Sequence, residues 1–206
     1  MIFLAWNCRG TGQASTVDVL RDLIHINKPS IVFLSERKAR SNGIETLRRS
    51  MGYQHGIFVK AIGQSGGLCL WWKDVLEVQI IFSSANVIDT CVQDFVSGSV
   101  IRLTWIYGPP PRAEYKGTFW EKCTRSFTAD GLPWMCAGDF NELVWPHEKR
   151  EGREWEVGRR RFLKEFMQRK ELIDLGFSGP PFTWERDWED WGLIEERLDR
   201  AMVNNI

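Results

Sequence analysis

The chain has 206 residues, 43% of them hydrophobic and 26% charged, with 27 basic and 27 acidic side chains that cancel to a formal net charge of zero. That length accommodates one sizeable domain and crowds two; the composition excludes a disordered chain, and the charge balance does not advertise a nucleic-acid binder. No apolar run approaches the roughly 20 residues of a membrane-spanning helix, and Met1-Ile2-Phe3-Leu4-Ala5-Trp6 is too short, with no basic region ahead of it, for a secretory signal; a nuclear or cytoplasmic protein is expected.

Residues 2–7 read as a short buried strand. Ser15 with Asp18 three residues later is a capping-box variant, and Val17, Leu20, Leu23 and Ile24 follow at helical spacing until Pro29. Ile31-Val32-Phe33-Leu34 is the next apolar strand, ending at Ser35-Glu36, and Ile44, Leu47 and Met51 mark a second helix. Strand-like runs follow at 53–60, 67–73, 75–82 and 87–95, and Ser97-Gly98-Ser99 is a hairpin turn into 100–107. Phe119, Trp120, Cys123 and Phe127 mark a third helix, and 132–137 is a strand broken by Gly138-Asp139-Phe140-Asn141. The span 147–158 reads as a charged loop, Phe162, Leu163, Phe166 and Met167 as a fourth amphipathic helix, and 197–203 as a closing strand. Cys8, Cys69, Cys91, Cys123 and Cys136 are scattered, odd in number and without a C-x-x-C pair, so buried reduced thiols are expected. Neighbouring strands with interspersed helices point to a mostly antiparallel α/β (α+β) layered sandwich rather than a doubly wound parallel sheet.

Several apolar strands terminate in residues suited to metal or phosphate chemistry: Trp6-Asn7-Cys8-Arg9-Gly10, Leu34-Ser35-Glu36, Ile106-Tyr107-Gly108-Pro109-Pro110 and Gly138-Asp139-Phe140-Asn141, with Arg197-Leu198-Asp199-Arg200 as a fifth. Strand ends on one sheet edge converge in space. Each also has a structural reading: Asn7 as a turn former, Glu36 as a solvated carboxylate, Tyr107 as a sheet-edge aromatic, and Gly-Asp-Phe-Asn as a tight turn. Their joint occurrence is the signal. Hydrolysis of a phosphodiester needs an attacking water, neutralised phosphate charge and help for the leaving oxygen, and a hard divalent ion on oxygen ligands supplies the Lewis acid.

In this order the motifs resemble those of the endonuclease/exonuclease/phosphatase superfamily, and in particular the apurinic-type endonuclease domain of plant non-LTR (LINE-type) retrotransposons. The likeness takes in the strand ends above, Gly63-Gln64-Ser65-Gly66-Gly67, Asp174-Leu175-Gly176-Phe177, Phe182-Thr183-Trp184 and Glu196-Arg197-Leu198-Asp199-Arg200. It implies one domain over 1–206, a four-layer αββα sandwich of two sheets with outer helices, and Mg2+ (or Mn2+) as cofactor. Glu36 and Asn7 match the metal site, Asp139 the residue that orients or deprotonates the water, and Asn141 a donor to phosphate or water. Tyr107 matches the phenol that stabilises phosphate charge, and Asp199 the carboxylate that orients a catalytic histidine. That histidine belongs to a Ser-Asp-His motif beyond the Asp199 strand. The resemblance therefore implies a domain incomplete at its C-terminus, short of its terminal strand or strands, with catalysis weakened by roughly 10²–10⁴; His25, His55 and His147 read as surface or structural groups.

DNA as substrate and a reverse transcriptase domain in a full-length element are the partners the resemblance implies, with Arg9, Lys38 and Trp184 as nucleic-acid contacts. Trp184, Trp188 and Trp191 cluster in a polar loop suited either to stacking on a DNA groove or to packing on the sandwich edge, while Trp71, Trp72, Trp105 and Trp134 belong to apolar strands and the core. Arg37, Lys38 and Arg40, and the series Lys149, Arg150, Arg153, Arg159, Arg160 and Arg161, would flank the site; the second series is interleaved with Glu148, Glu151, Glu154 and Glu156, as on a solvated face. Two further readings stay open. One is a retroelement relic or DNA-binding module without activity. The other, a superfamily phosphatase on a small substrate, fits the strand ends but not Gly-Gln-Ser-Gly-Gly or Phe-Thr-Trp.

Overall fold

Short runs that are apolar on both faces must be covered on both, and layering achieves this. The computed structural model describes residues 1–8, 14–35, 41–60, 67–127, 131–190 and 192–206, with the side chains of 41 and 42 outside that description. It contains two compact units, one of Met1–Tyr107 with Trp134–Gly138 and one of Gly108–Pro133 with Asp139–Ile206.

In the first unit, β1 (Phe3–Asn7) runs parallel to β2 (Ile31–Ser35), with α1 (Ala14–Asn27) between them in sequence. After α2 (Ser41–Ser50), β3 (His55–Val59) and β4 (Leu68–Trp72) complete a sheet of order β1-β2-β4-β3, antiparallel apart from its first pair. The helix α1 is already running at Ala14, so Ser15 lies inside the first turn rather than capping it. It ends at Asn27, where Lys28 turns left-handed (φ 47°) with its N–H still on the Ile24 carbonyl at 2.8 Å; the chain has left the helix before Pro29.

Alternation along the strands sorts the side chains. Leu20 and Ile44 of the helices pack with Val32, Leu34, Cys69 and Trp71 on one face of this sheet. The opposite face meets a second sheet. It is built from β5 (Leu76–Ser84), β6 (Val87–Asp94), β7 (Val100–Tyr107) and β8 (Trp134–Asp139), whose first five residues belong to this unit. Phe33 stacks on Trp105 of β7 at 5.5 Å and Phe3 meets the same indole edge-on at 6.0 Å. Helices, sheet and sheet thus form the expected layers, and the strands are mostly antiparallel as anticipated. Trp71, Trp105 and Trp134 are buried, whereas Trp72 is only half-buried and stacks on His55. All five cysteines are thiols, with Cys91 alone partly exposed.

On the other face of β7 a charged pair is buried within the sheet. Asp89 accepts from Arg102 at 2.6 and 3.2 Å and from the Thr104 hydroxyl at 2.7 Å, and the Trp134 indole N–H donates to Thr104 at 2.8 Å. These bonds tie β6, β7 and β8 in one register.

The second unit holds α3 (Lys116–Ser126) and α4 (Phe162–Arg169), which pack through Trp120 and Phe166 at 5.4 Å, with Phe140 lying flat against Trp120 at 6.2 Å. Between them, the span expected to be a charged loop contains a 3-10 turn, Pro146–Glu148, and a short strand, β9 (Lys149–Arg150). Beyond α4, β10 (Ile173–Asp174) leads to β11 (Trp184–Trp188) and β12 (Gly192–Glu196), a hairpin to which β9 adds an edge. The tryptophan-bearing polar stretch is therefore sheet, not loop; from Glu185 to Trp188 its side chains are exposed on both faces, so no apolar alternation announces it. Finally β13 (Asp199–Val203) pairs with β10. The strand expected over 132–137 begins and ends two residues later, at Asp139, so Gly138 does not break it.

Candidate active site

Asn7 is the last residue of β1 and stands in register with Ser35, the last residue of β2. Parallel neighbours that stop together bring two strand ends far apart in the sequence to one edge of the sheet. Cys8 donates its thiol to the Ser35 carbonyl at 3.4 Å and seals the junction. Glu36 is the next residue in the chain; Glu36, Arg9 and Lys38 lie outside the described residues, as do Arg37, Arg40, the Gly63–Gly66 part of its motif and Trp191. Tyr107 closes β7. By alternation it shares the face of Leu103 and Trp105, it is 4% exposed, and its backbone is held on both sides by Asn86, through Tyr107 N–H to the Asn86 carbonyl at 2.8 Å and Asn86 Nδ2 to the Tyr107 carbonyl at 2.7 Å.

The second unit brings Asp139, Asn141 and the segment leading into Asp199 together. Asn141 adopts the left-handed conformation (φ 49°) that asparagine tolerates better than most residues. This turn aims its own N–H at Asp139 Oδ1, 2.9 Å away, and its side-chain Nδ2 at the Gly108 carbonyl, 2.8 Å away. Gly108 returns a bond from its N–H to the Asp139 carbonyl at 2.7 Å. A Cβ at 108 would overlap the Phe140 carbonyl, so only glycine allows this approach. Phe140 N–H donates to the Leu198 carbonyl at 2.9 Å. On the far side, the Thr183 hydroxyl accepts the N–H groups of Leu198 and Asp199 at 3.1 and 3.0 Å. The Phe-Thr-Trp motif thereby acquires a physical role: its threonine fixes the corner from which β13 and Asp199 start.

Arg197 and Arg200, which flank Leu198-Asp199, are buried for a different reason. Arg200 donates to Glu148 Oε1 and Oε2 at 2.8 and 3.0 Å and to Asp174 at 3.0 Å; Arg197 donates to Asp174 at 2.7 and 3.0 Å and to Glu148 at 3.3 Å. Glu148 also accepts the backbone N–H groups of Val144 and Trp145. Desolvation, the largest single influence on Glu148, pushes its carboxyl up, but Arg200 and those two N–H groups together outweigh it and leave the group below its ordinary range. Asp174 is likewise lowered on balance, with desolvation opposed by Arg197, the Gly176 N–H and Arg200. Glu148, expected on a solvated face, is 2% exposed. Nothing in its local sequence marked it, because its partners lie 49 and 52 residues away.

Beside Asn141 and Glu142 the second unit opens a cavity of about 630 Å3, lined among others by Lys116, Trp155, Trp184 and Trp188. Arg186 stacks over Trp188 at 4.1 Å and Arg161 over Trp155 at 3.9 Å, so its rim combines flat aromatic surface with cations. Much of the basic series nearby is already paired: Lys149 with Glu196, Arg150 with Glu195, Arg159 with Glu156 and Arg160 with Glu165. This agrees with a solvated, ion-paired face. His25, His55 and His147 are all exposed, His55 with its ring bonded to Asp74 at 2.7 Å. Among the described residues there is no group of three or more His, Cys, Asp or Glu side chains placed to hold a metal, and no helix is long and apolar enough to cross a membrane.

Comparison with known proteins places these features in a family. The profile of the Endonuclease/Exonuclease/phosphatase family matches residues 4–205. No curated protein sequence matches the chain. Among solved structures, the chain is similar to a 3'-5' exonuclease (NExo) from Neisseria meningitidis, with TM-score 0.73 and 18% identity over 99% of this chain and 87% of that one. It is similar to the AP endonuclease LMAP from Leishmania major, with TM-score 0.70 and 15% identity over 98% and 78% of the two chains. A third is the endonuclease domain of TRAS1, a telomere-specific non-LTR retrotransposon, with TM-score 0.66 and 12% identity over 98% and 84%. At such identities the likeness establishes the fold, a mixed α/β sandwich of two large sheets flanked by helices.

Proposed function

We propose that this chain, which belongs to the Endonuclease/Exonuclease/phosphatase family, hydrolyses phosphodiester bonds in DNA as a divalent-metal-dependent endonuclease. The observation that carries this reading is the turn at the end of β8, where the Asn141 N–H holds one oxygen of a nearly buried Asp139 carboxylate at 2.9 Å. A carboxylate restrained in this way is suited to orient or deprotonate an attacking water. Asn141 serves as a donor to phosphate or water, and the Tyr107 phenol stabilises developing phosphate charge.

The Asn7 amide oxygen, at a strand end level with Ser35, and the Glu36 carboxylate that follows Ser35 make an all-oxygen donor set. Such a set fits Mg2+, or Mn2+, rather than a softer ion. A divalent ion held there supplies charge neutralisation at the phosphate. Asp199 has the role of orienting a histidine of a Ser-Asp-His motif, and none of His25, His55 and His147 stands in such a motif. Residues 1–206 by themselves are therefore assigned weak activity, roughly 10²–10⁴ below that of a site with its acid–base histidine. Arg9, Lys38 and Trp184 are assigned to DNA contact. The ordered motifs support an origin in a LINE-type retrotransposon of plants, with a reverse transcriptase domain as natural partner, and the similarity to the TRAS1 domain supports the non-LTR retrotransposon part of that reading.

A supercoiled-plasmid nicking assay tests this. The expected outcome is slow nicking that requires Mg2+, stops on chelation, and disappears in both Glu36→Ala and Asp139→Ala. Nicking that survives either substitution would overturn the site. DNA binding without metal-dependent nicking would favour the inactive DNA-binding relic.

A further inference from the structure

Glu142 closes the Gly-Asp-Phe-Asn-Glu motif, yet none of the chemistry above uses it, and Lys116 stands in no motif at all. The structure joins them. Lys116 Nζ lies 3.1 Å from Glu142 Oε2 and donates to the Asn141 carbonyl at 3.3 Å, while Glu142 Oε1 accepts the Phe162 N–H at 2.9 Å. Both side chains are withdrawn from solvent, at 12% and 5% exposure. Burial, the largest influence, lowers the proton affinity of Lys116, and the Glu142 charge opposes it.

Helix stability does not account for this lysine. Lys116 is the first residue of α3 and Phe162 the first of α4, so the ammonium sits at the positive end of a helix dipole, where a cation is disfavoured. What the ammonium does reach is the one carbonyl that a left-handed Asn141 turns outward. That conformation is unfavourable for a residue with a Cβ and persists only where its surroundings hold it. The Asn141 N–H, the Asn141 side chain and the Asn141 carbonyl are each bonded, to Asp139, Gly108 and Lys116 respectively. The first two bonds come from the turn's own strand-end neighbours. The third comes from a helix, and Glu142 anchors it.

We propose that Lys116, locked by Glu142, is a positioning residue: it holds Asn141 in the left-handed turn whose N–H orients the Asp139 carboxylate. Its value to catalysis rests on the assignment of Asp139 to the attacking water; its hold on the turn does not.

Amide hydrogen exchange on the uniformly labelled chain separates the two. In Lys116→Met, which keeps the length of the side chain and removes its charge, exchange at the Asn141 amide is expected to accelerate about tenfold or more, the consequence of losing a charge-assisted bond. Amides of β2 and β7, in the other unit, should be unchanged. Lys116→Arg, which retains a cation, should restore most of the protection. Glu142→Gln, which keeps an acceptor for Phe162 but removes the anchoring charge, should reproduce the loss and serves if Lys116→Met does not fold. Unchanged protection of Asn141 in Lys116→Met or in Glu142→Gln would overturn the proposal, as would Lys116→Arg behaving like Lys116→Met. In the nicking assay kcat should fall about tenfold with KM retained. If the unsubstituted chain does not nick DNA, the nuclease reading fails while the exchange data still decide the role of Lys116.

Discussion

At the scale of single residues, Glu148 shows how a buried carboxylate is made tolerable. Its two oxygens accept from two guanidinium groups and two backbone N–H groups, and Asp174 shares both arginines. Each partner answers a desolvation cost that would otherwise be prohibitive, so the network stands or falls as a unit. Replacing one member leaves the others charged and buried. Glu148→Ala is expected to destabilise the protein by about 3–5 kcal/mol in urea denaturation; a loss under about 1 kcal/mol would show that water reaches Arg197 and Arg200 and that the network is ornamental. The Asp89–Arg102 pair in the other unit follows the same rule, with Thr104 satisfying a remaining lone pair and Trp134 bonded in turn to Thr104.

At the scale of elements, the corner between β12 and β13 matters most, because Asp199 begins the second strand directly after it. The turn is held from outside the hairpin pairing. Thr183 N–H donates to the Glu196 carbonyl at 3.0 Å, and the Thr183 hydroxyl accepts from Leu198 and Asp199. The substitution Thr183→Val keeps the shape of the side chain and removes the acceptor. Since Thr183 is exposed, water replaces part of what is lost, and the expected cost is modest, about 0.5–1.5 kcal/mol. The sharper readout is local: amide exchange at Leu198 and Asp199 should accelerate while that of Met202, deep in β13, does not. Equal acceleration along the whole strand would mean that Thr183 stabilises β13 generally rather than fixing the corner.

At the scale of the whole molecule, equal numbers of acidic and basic side chains leave no net charge at neutral pH, so the response to acid depends on particular carboxylates. Glu148 and Asp174 both have folded pKa values below their ordinary ones. The stability they contribute is therefore complete above the unfolded values and is lost as the pH falls through the folded ones. Glu196 opposes them: burial raises it against the pull of Lys149 and Lys116, so its protonation in acid favours the folded chain. Glu45, Asp94 and Glu165 are lowered as well, so five lowered carboxylates against one raised group make the net sign clear. The urea midpoint should hold steady from neutrality down to about pH 4.5 and then fall, and Glu148→Ala should flatten that fall. An unchanged acid slope in Glu148→Ala would remove Glu148 as its cause.

The strands β2, β4, β6 and β7, the helices α1, α2 and α4, and the strand ends at Asn7, Ser35 and Tyr107 were readable from the sequence. Continuous burial, period and an abrupt change to polar residues are local signals, and the chain carries them within a few positions. The order of those strand ends also made the family legible. The hairpin of β11 and β12 was not readable, because Glu185-Arg186-Asp187-Trp188 faces solvent and β11 has no apolar face to alternate. Nor were the burial of Glu148, the corner held by Thr183, or the grip of Lys116 on Asn141. In each case a polar residue is given its role by a partner 15 to 52 residues away. Whether a charge is solvated or buried depends on what the fold brings to it, and that is settled only when distant segments meet.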